Sequence, residues 1–108
     1  MHENVKKLSD IEFEAGVLKS ETPAVVDFSA TWCGPCKTLT PLVDQIAGEF
    51  RGRVNFFMMD VEECAQTAQQ YRIRSVPTLL FFKGGKVMEQ IIGLVPAAKI
   101  KAGAEKIS

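Results

Sequence analysis

Ala24-Val25-Val26-Asp27-Phe28-Ser29-Ala30-Thr31-Trp32-Cys33-Gly34-Pro35-Cys36-Lys37 runs from a block of strand formers straight into two cysteines separated by two residues. The strand is expected over Ala24 to Ala30, with one acid, Asp27, in its middle. A helix is expected to begin near Cys33 and run towards Phe50. The setting matters more than the spacing. A thiolate is the species that attacks a disulfide, and the free N–H groups and positive dipole end of a helix N-terminus stabilise it. Cys36 lies one turn after Cys33 and on the same face, so a disulfide between them closes a small ring with little backbone motion. Pro35 falls in the first turn, where a missing N–H costs little, and with Gly34 it sets the rigidity of that ring.

These positions suggest a reaction order. Cys33, expected to be the more exposed, attacks a target disulfide. Cys36, expected to lie deeper, then attacks the Cys33 sulfur and releases the reduced target. The second step requires Cys36 to lose its proton. A carboxyl in an apolar strand has a raised pKa, because desolvation disfavours its charge. Asp27 is therefore the candidate for exchanging that proton near neutral pH.

Outward from this stretch, Ser9-Asp10-Ile11-Glu12 reads as a capping box opening a helix from about Asp10 to Lys19, which Glu21-Thr22-Pro23 then breaks. A strand near Val5 is only weakly patterned. Pro41 lies inside the helix that follows Cys33 and predicts a kink, because it gives no N–H to the Lys37 carbonyl. Val54 to Met59 reads as a buried strand and Glu63 to Tyr71 as a short helix. Pro77 to Phe82 and Lys86 to Ile92 read as strands joined by Lys83-Gly84-Gly85, a hairpin loop. Pro96 suits the first turn of a last helix ending near Ile107. Strands alternate with helices first, and a hairpin plus a helix come last. The expected fold is α/β, a mixed central sheet with helices on both faces, with residues 1–108 forming a single domain.

The bulk properties narrow the functions. The 108 residues balance 13 Lys+Arg against 13 Asp+Glu, so no basic excess points to nucleic acid. No apolar run approaches the roughly 20 residues that span a bilayer, and none follows Met1 to Lys7 as a secretory leader would. A cytoplasmic, membrane-free protein is the expectation. Three cysteines are an odd count for a disulfide framework. In a reducing compartment a close cysteine pair is catalytic or metal-binding, so a zinc site stays open at this level. Cys64 and His2 are the other soft ligands, and neither has ligand spacing. Cys64, Ala68 and Tyr71 fall at helical spacing, which makes Cys64 a small core side chain, with a regulatory or dimer-forming thiol as the alternative. The Phe56-Phe57 and Phe81-Phe82 pairs are expected in the core.

The segment Asp27 to Lys37, with Cys33-Gly34-Pro35-Cys36 at its centre, resembles the active site of thioredoxins. Ile73-Arg74-Ser75-Val76-Pro77-Thr78-Leu79 resembles their second signature, and the likeness covers nearly the whole chain, including Gly93. The resemblance implies a thioredoxin-like three-layer sandwich and a protein-disulfide reductase acting through Cys33 as nucleophile and Cys36 as resolving thiol. Asp27 would transfer the proton. No bound cofactor is implied beyond the redox-active Cys33–Cys36 disulfide. The proline matching Pro77 is cis in the family and faces that disulfide. Trp32, Val76, Pro77, Thr78 and Gly93 would flank a groove that docks an extended substrate segment, with backbone pairing at Val76. A thioredoxin reductase would resupply electrons. Ribonucleotide reductase, methionine sulfoxide reductases and peroxiredoxins would be the clients of a monomer serving cell redox homeostasis.

Two departures stand out. Met58 occupies a position where many bacterial members carry a lysine that approaches the buried acid. Ser29 stands where many have tryptophan, whereas animal members often have serine. Three readings compete with the reductase: a thiol oxidant or isomerase, a docking module and a metal carrier. Gly34-Pro35 argues against the first, since oxidants and isomerases usually show a histidine between the cysteines.

Overall fold

The computed structural model describes residues 3–108, so His2 lies outside the described residues. Five strands form one sheet in the order β1-β3-β2-β4-β5: β1 Lys6–Lys7, β2 Ala24–Ser29, β3 Asn55–Asp60, β4 Thr78–Lys83 and β5 Lys86–Ile92. β1, β3 and β2 are parallel, whereas β4 runs antiparallel to β2, and β5 antiparallel to β4. The sheet is therefore mixed, as the alternation of elements implied, and the weak pattern near Val5 becomes a short edge strand. Four helices surround it: α1 Asp10–Phe13, α2 Gly34–Glu49, α3 Ala65–Gln70 and α4 Ala97–Ile107.

The central strands read as unbroken apolar runs because both sheet faces are covered. Side chains alternate along each strand. Val25, Phe56, Leu79 and Phe81 pack with Leu39, Val43 and Ile46 of α2 and with Ile100, Ala104 and Ile107 of α4. Val26, Phe57, Leu80 and Phe82 point the other way and meet Leu8, Phe13, Val17 and Cys64. Each Phe-Phe pair thus splits between the two cores. Cys64 is buried among apolar side chains, and its thiol donates to the Leu8 carbonyl at 3.4 Å.

The capping box at Ser9 forms as expected, with Ser9 Oγ taking the Glu12 N–H and the Glu12 carboxylate taking the Ser9 N–H. The helix it opens is not uniform: after Phe13 it widens into a π-helical turn, Glu14–Leu18, closed by Lys19 N–H on the Glu14 carbonyl at 2.8 Å. The neighbouring residue Asp10 does a second job across the chain. Its carboxylate accepts the Gln66 and Thr67 N–H groups and the Thr67 hydroxyl, supplying the start of α3 with the cap that Cys64 lacks. α2 stays one helix through Pro41.

Lys83 pairs with Lys86, which leaves a two-residue loop with Gly84 at φ 60° and Gly85 at φ 79°. Two consecutive positive φ values match the type I′ turn that suits strand twist.

Gly103 marks the tightest contact between α4 and the sheet. A Cβ there would lie 2.7 Å from Cε2 of Phe81, a ring with no exposed surface. Alanine normally improves a helix interior by about 1 kcal/mol over glycine. At Gly103 the overlap should outweigh that gain. Gly103→Ala is expected to destabilise the protein by about 1–3 kcal/mol, as overpacked cores do, seen as a lower urea midpoint. A midpoint equal to or above wild type would contradict this packing.

Candidate functional site

β2 ends at Ser29, and the chain turns through Ala30, Thr31 and Trp32 into α2, so the cysteines sit where a strand hands over to a helix N-terminus. Cys33 is the N-cap residue of α2, with extended backbone, and Pro35 lies in the first turn. Cys33 and Cys36 are joined by a disulfide, with Cα atoms 5.3 Å apart. The Cys36 N–H donates to Cys33 Sγ at 3.2 Å. A sulfur usually replaced at this position by a Ser or Asp oxygen thus receives one of the helix's unpaired N–H groups. The same N–H would stabilise a Cys33 thiolate after reduction. Among the described residues no such N–H donates to the Cys36 sulfur.

The expected difference in depth between the two cysteines is not found. Cys33 is 4% exposed and Cys36 3%. What separates them is direction. Cys33 Sγ lies 3.7 Å from the Val76 carbonyl oxygen, towards the loop before β4. Cys36 faces a solvent-open cavity of about 370 Å³, which it shares with Ser29, Thr40, Met58 and Asp60. The Thr40 hydroxyl donates to the Cys36 carbonyl at 2.7 Å and ties the first turn of α2 to the next.

Asp27 is 1% exposed, and its Oδ1 has no hydrogen-bond partner among the described residues. Desolvation pushes its pKa up from 3.8 to about 7. Strand alternation puts Asp27 on the face of Val25, the face covered by α2. Its neighbours across the sheet are Met58 on β3 and Leu79 on β4, neither able to supply a charge.

The other residues of the expected groove divide. Val76–Pro77 is a cis peptide. Trp32, 67% exposed, lines a cavity of about 120 Å³ with Val61, Ile73, Arg74, Ser75 and Val76. Gly93 has φ 91°, and its N–H donates to the Pro77 carbonyl at 2.8 Å. Val76 borders Cys33 and shares the cavity with Trp32, and Gly93 is tied to the same loop through Pro77. Thr78 departs from expectation as a groove wall: its side chain is buried, and its hydroxyl donates to the Ser75 carbonyl at 2.8 Å. It braces the loop that carries Val76 and Pro77. Gly34 has open space where a Cβ would stand, so packing does not require glycine there. Ile92 and Leu94, two exposed apolar residues on either side of Gly93, belong to no motif of the sequence. Two adjacent isoleucines on one edge strand were the available signal, since only Ile91 can face the core. Among the described residues no three His, Cys, Asp or Glu side chains converge as a metal site.

Against known proteins, the family model described as Thioredoxin matches residues 4–106. The chain is 43% identical over 100 residues to a thioredoxin of Synechocystis sp., covering 93% of this chain and 94% of that one. It is 41% identical over 102 residues to thioredoxin C-2 of Corynebacterium nephridii, covering 94% of each. It is 44% identical over 102 residues to the chloroplastic thioredoxin M4 of Arabidopsis thaliana, covering 94% of this chain but 53% of that one. The chain therefore spans about half the length of the plant relative and nearly all of the bacterial ones.

Asp27 should leave its mark on stability. The unfolded chain ionises this acid near 3.8, whereas the folded protein holds the proton to about 7. Between those values the folded state binds more protons, so stability falls as pH rises, by up to about 4 kcal/mol in all, and levels off above pH 7. Urea unfolding of the oxidised protein should show this fall between pH 4 and 7, and Asp27→Asn should remove it. An unaltered pH slope in the variant would exclude a buried, neutral Asp27.

Because Met58 pairs in register with Asp27, Met58→Lys brings a cation beside the acid. The apparent pKa of the Asp27–cysteine system should fall, as followed by carboxyl NMR titration. A titration curve superimposable on wild type would show that the new charge does not reach Asp27.

Proposed function

The chain belongs to the thioredoxin family, and on that footing we propose that it is a protein-disulfide reductase whose electrons enter from a thioredoxin reductase and leave to disulfide-containing clients. The redox-active unit is the Cys33–Cys36 dithiol/disulfide pair. The observation that carries the reading is the capped sulfur: Cys33 Sγ sits at the start of α2 and accepts the Cys36 N–H.

In this reading the reduced Cys33 thiolate attacks one sulfur of a client disulfide. A mixed disulfide forms between Cys33 and the client, and the client's other sulfur leaves as a thiolate. The Cys36 thiol gives its proton to the Asp27 carboxylate, and its thiolate attacks Cys33 Sγ. The Cys33–Cys36 bond forms, the mixed disulfide breaks, and the second client thiolate departs and is protonated. Two electrons have passed to the client. A pKa near 7 lets Asp27 accept and return a proton at working pH.

Trp32, Val76, Pro77 and Gly93, with Ile92 and Leu94 beside them, form the client-docking rim, and Thr78 holds the loop from behind. The exposed apolar side chains of Trp32, Ile92 and Leu94 favour apolar client segments, and the Val76 backbone offers strand-like pairing. Gly34 and Pro35 set the stiffness of the disulfide ring. Ribonucleotide reductase, methionine sulfoxide reductases and peroxiredoxins are the client classes. We read residues 1–108 as one thioredoxin domain acting as a monomer in cell redox homeostasis. No helix among the described residues is long and apolar enough to cross a membrane. Some relatives bear chloroplastic names. The cytoplasm remains our assignment, supported by a buried thiol, Cys64, that suits a reducing compartment.

Insulin reduction by NADPH and a thioredoxin reductase tests the proposal. The wild-type chain should accelerate it and Cys33→Ser should abolish the acceleration, while Cys36→Ser should accumulate mixed disulfides detectable on a non-reducing gel. A wild type without activity would overturn the reductase reading. A double serine variant that keeps the cellular function would favour a docking module.

A further inference from the structure

α3 closes its last turn with two backbone hydrogen bonds. The Arg72 N–H donates to the Gln69 carbonyl at 3.1 Å, and the Ile73 N–H donates to the Ala68 carbonyl at 2.9 Å. An ending of this kind needs one residue in the left-handed conformation directly after the C-cap, here Tyr71. Glycine is the usual choice, because a Cβ is crowded there. This chain places Arg72 at that position, with φ 55°, and among the described residues it is the one non-glycine residue with positive φ. Asparagine or aspartate could ease the conformation with a short polar side chain, and arginine cannot. Backbone strain of this kind clusters at sites where a side chain is needed for binding or catalysis.

Arg72 holds nothing in the fold through its charge. It is exposed and joins no ion pair among the described residues. Arg74 is likewise exposed and outside those pairs, and the two arginines are the only charged residues between Ala65 and Phe82. They flank Ile73, which lines the Trp32 cavity with Arg74 and Val76, and the Val76 carbonyl lies 3.7 Å from Cys33 Sγ. Val61 completes that cavity, with three acids around it in the chain. Asp60 accepts the Glu62 and Glu63 N–H groups, and Glu63 pairs with Lys7, which leaves Glu62 as the unengaged acid. The rim beside the Trp32 cavity is therefore cationic where α3 ends.

We propose that Arg72 is a specificity-determining residue: beside Arg74 it favours clients that carry acidic side chains next to the disulfide cysteine, and the chain keeps a strained backbone at this position for the sake of that charge. The inference rests on the reading of the Trp32 rim as the client-docking surface. A guanidinium matches a carboxylate with two parallel N–H donors and is always charged. On an exposed rim such a pair acts on encounter and partner choice more than on raw affinity. The acidic side chains would lie beside the apolar segment that Trp32, Ile92 and Leu94 accept.

Two synthetic disulfide peptides, alike except for a pair of glutamates or a pair of lysines beside the cysteine, test the inference. The protein is reduced with dithiothreitol, freed of it and mixed with each peptide at low ionic strength. Peptide thiols are counted after an acid quench, so no reductase enters the measurement. Wild type should reduce the glutamate peptide faster, and about 0.5 M sodium chloride should bring the two rates together. Arg72→Gly should lower the ratio of the rates by about 2- to 5-fold, the range of one exposed ion pair. It should also raise the urea midpoint, because the left-handed residue loses its Cβ. Arg72→Lys keeps both the charge and the Cβ, and should stay closer to wild type than Arg72→Gly in ratio and in midpoint. Arg72→Glu should lower the ratio further than glycine does. Equal wild-type rates on the two peptides, or a ratio unmoved in both Arg72→Gly and Arg72→Glu, would overturn the role of Arg72 in client choice. A midpoint of Arg72→Gly at or below wild type would overturn the retained strain. A wild type that reduces neither peptide would remove the reductase reading, and this inference with it.

Discussion

The site depends on how α2 lies against the sheet. Leu39, Val43 and Ile46 bury one face of the helix on Val25, Phe56 and Leu79, and nearly all of their surface leaves water. That packing does three things at once. It fixes the helix N-terminus at the end of β2, where Cys33 receives an N–H. It sets Cys36 over the same sheet face as Asp27. It also keeps water off Asp27, which is the cause of the raised pKa. A helix shifted by one turn would keep the hydrophobic burial and lose all three.

Much of this could be read in the chain because the local signals agree with one another. Ser9 and Glu12 announce a helix start, Gly84-Gly85 a hairpin, and Val25-Val26 and Phe81-Phe82 a sheet buried on both faces. The acid in the apolar strand was legible as a buried carboxyl for the same reason: alternation leaves Asp27 nowhere to point except into a covered face. The π-helical turn after Phe13 was not legible, since nothing in Glu14-Ala15-Gly16-Val17-Leu18 differs from an ordinary helix. Side-chain depth was not legible either. Two cysteines one turn apart look like an outer and an inner thiol on a helical wheel. The loop carrying Val76 comes from 43 residues further along the chain and covers the outer one.

The same limit explains the groove. Sequence likeness groups Val76, Pro77 and Thr78 as neighbours in one motif, but a strand start sends alternate side chains in opposite directions. Thr78 turns inward and holds the loop by its hydroxyl, while Ile92 and Leu94, from a distant strand end, face outward beside Gly93. Contacts that join segments far apart in the chain are set by register, and register is fixed by the whole sheet rather than by any local pattern.

The carboxylate of Asp10 has a consequence beyond the helix it caps. By holding the first N–H groups of α3 from within the first turn of α1, it ties two short helices into one unit on the sheet face away from α2. Neither helix is long enough to persist alone. Opening of either one therefore releases the other, and their amides should exchange with solvent as one cooperative unit, separately from those of α2. The face that carries the redox pair can stay closed while the opposite face breathes.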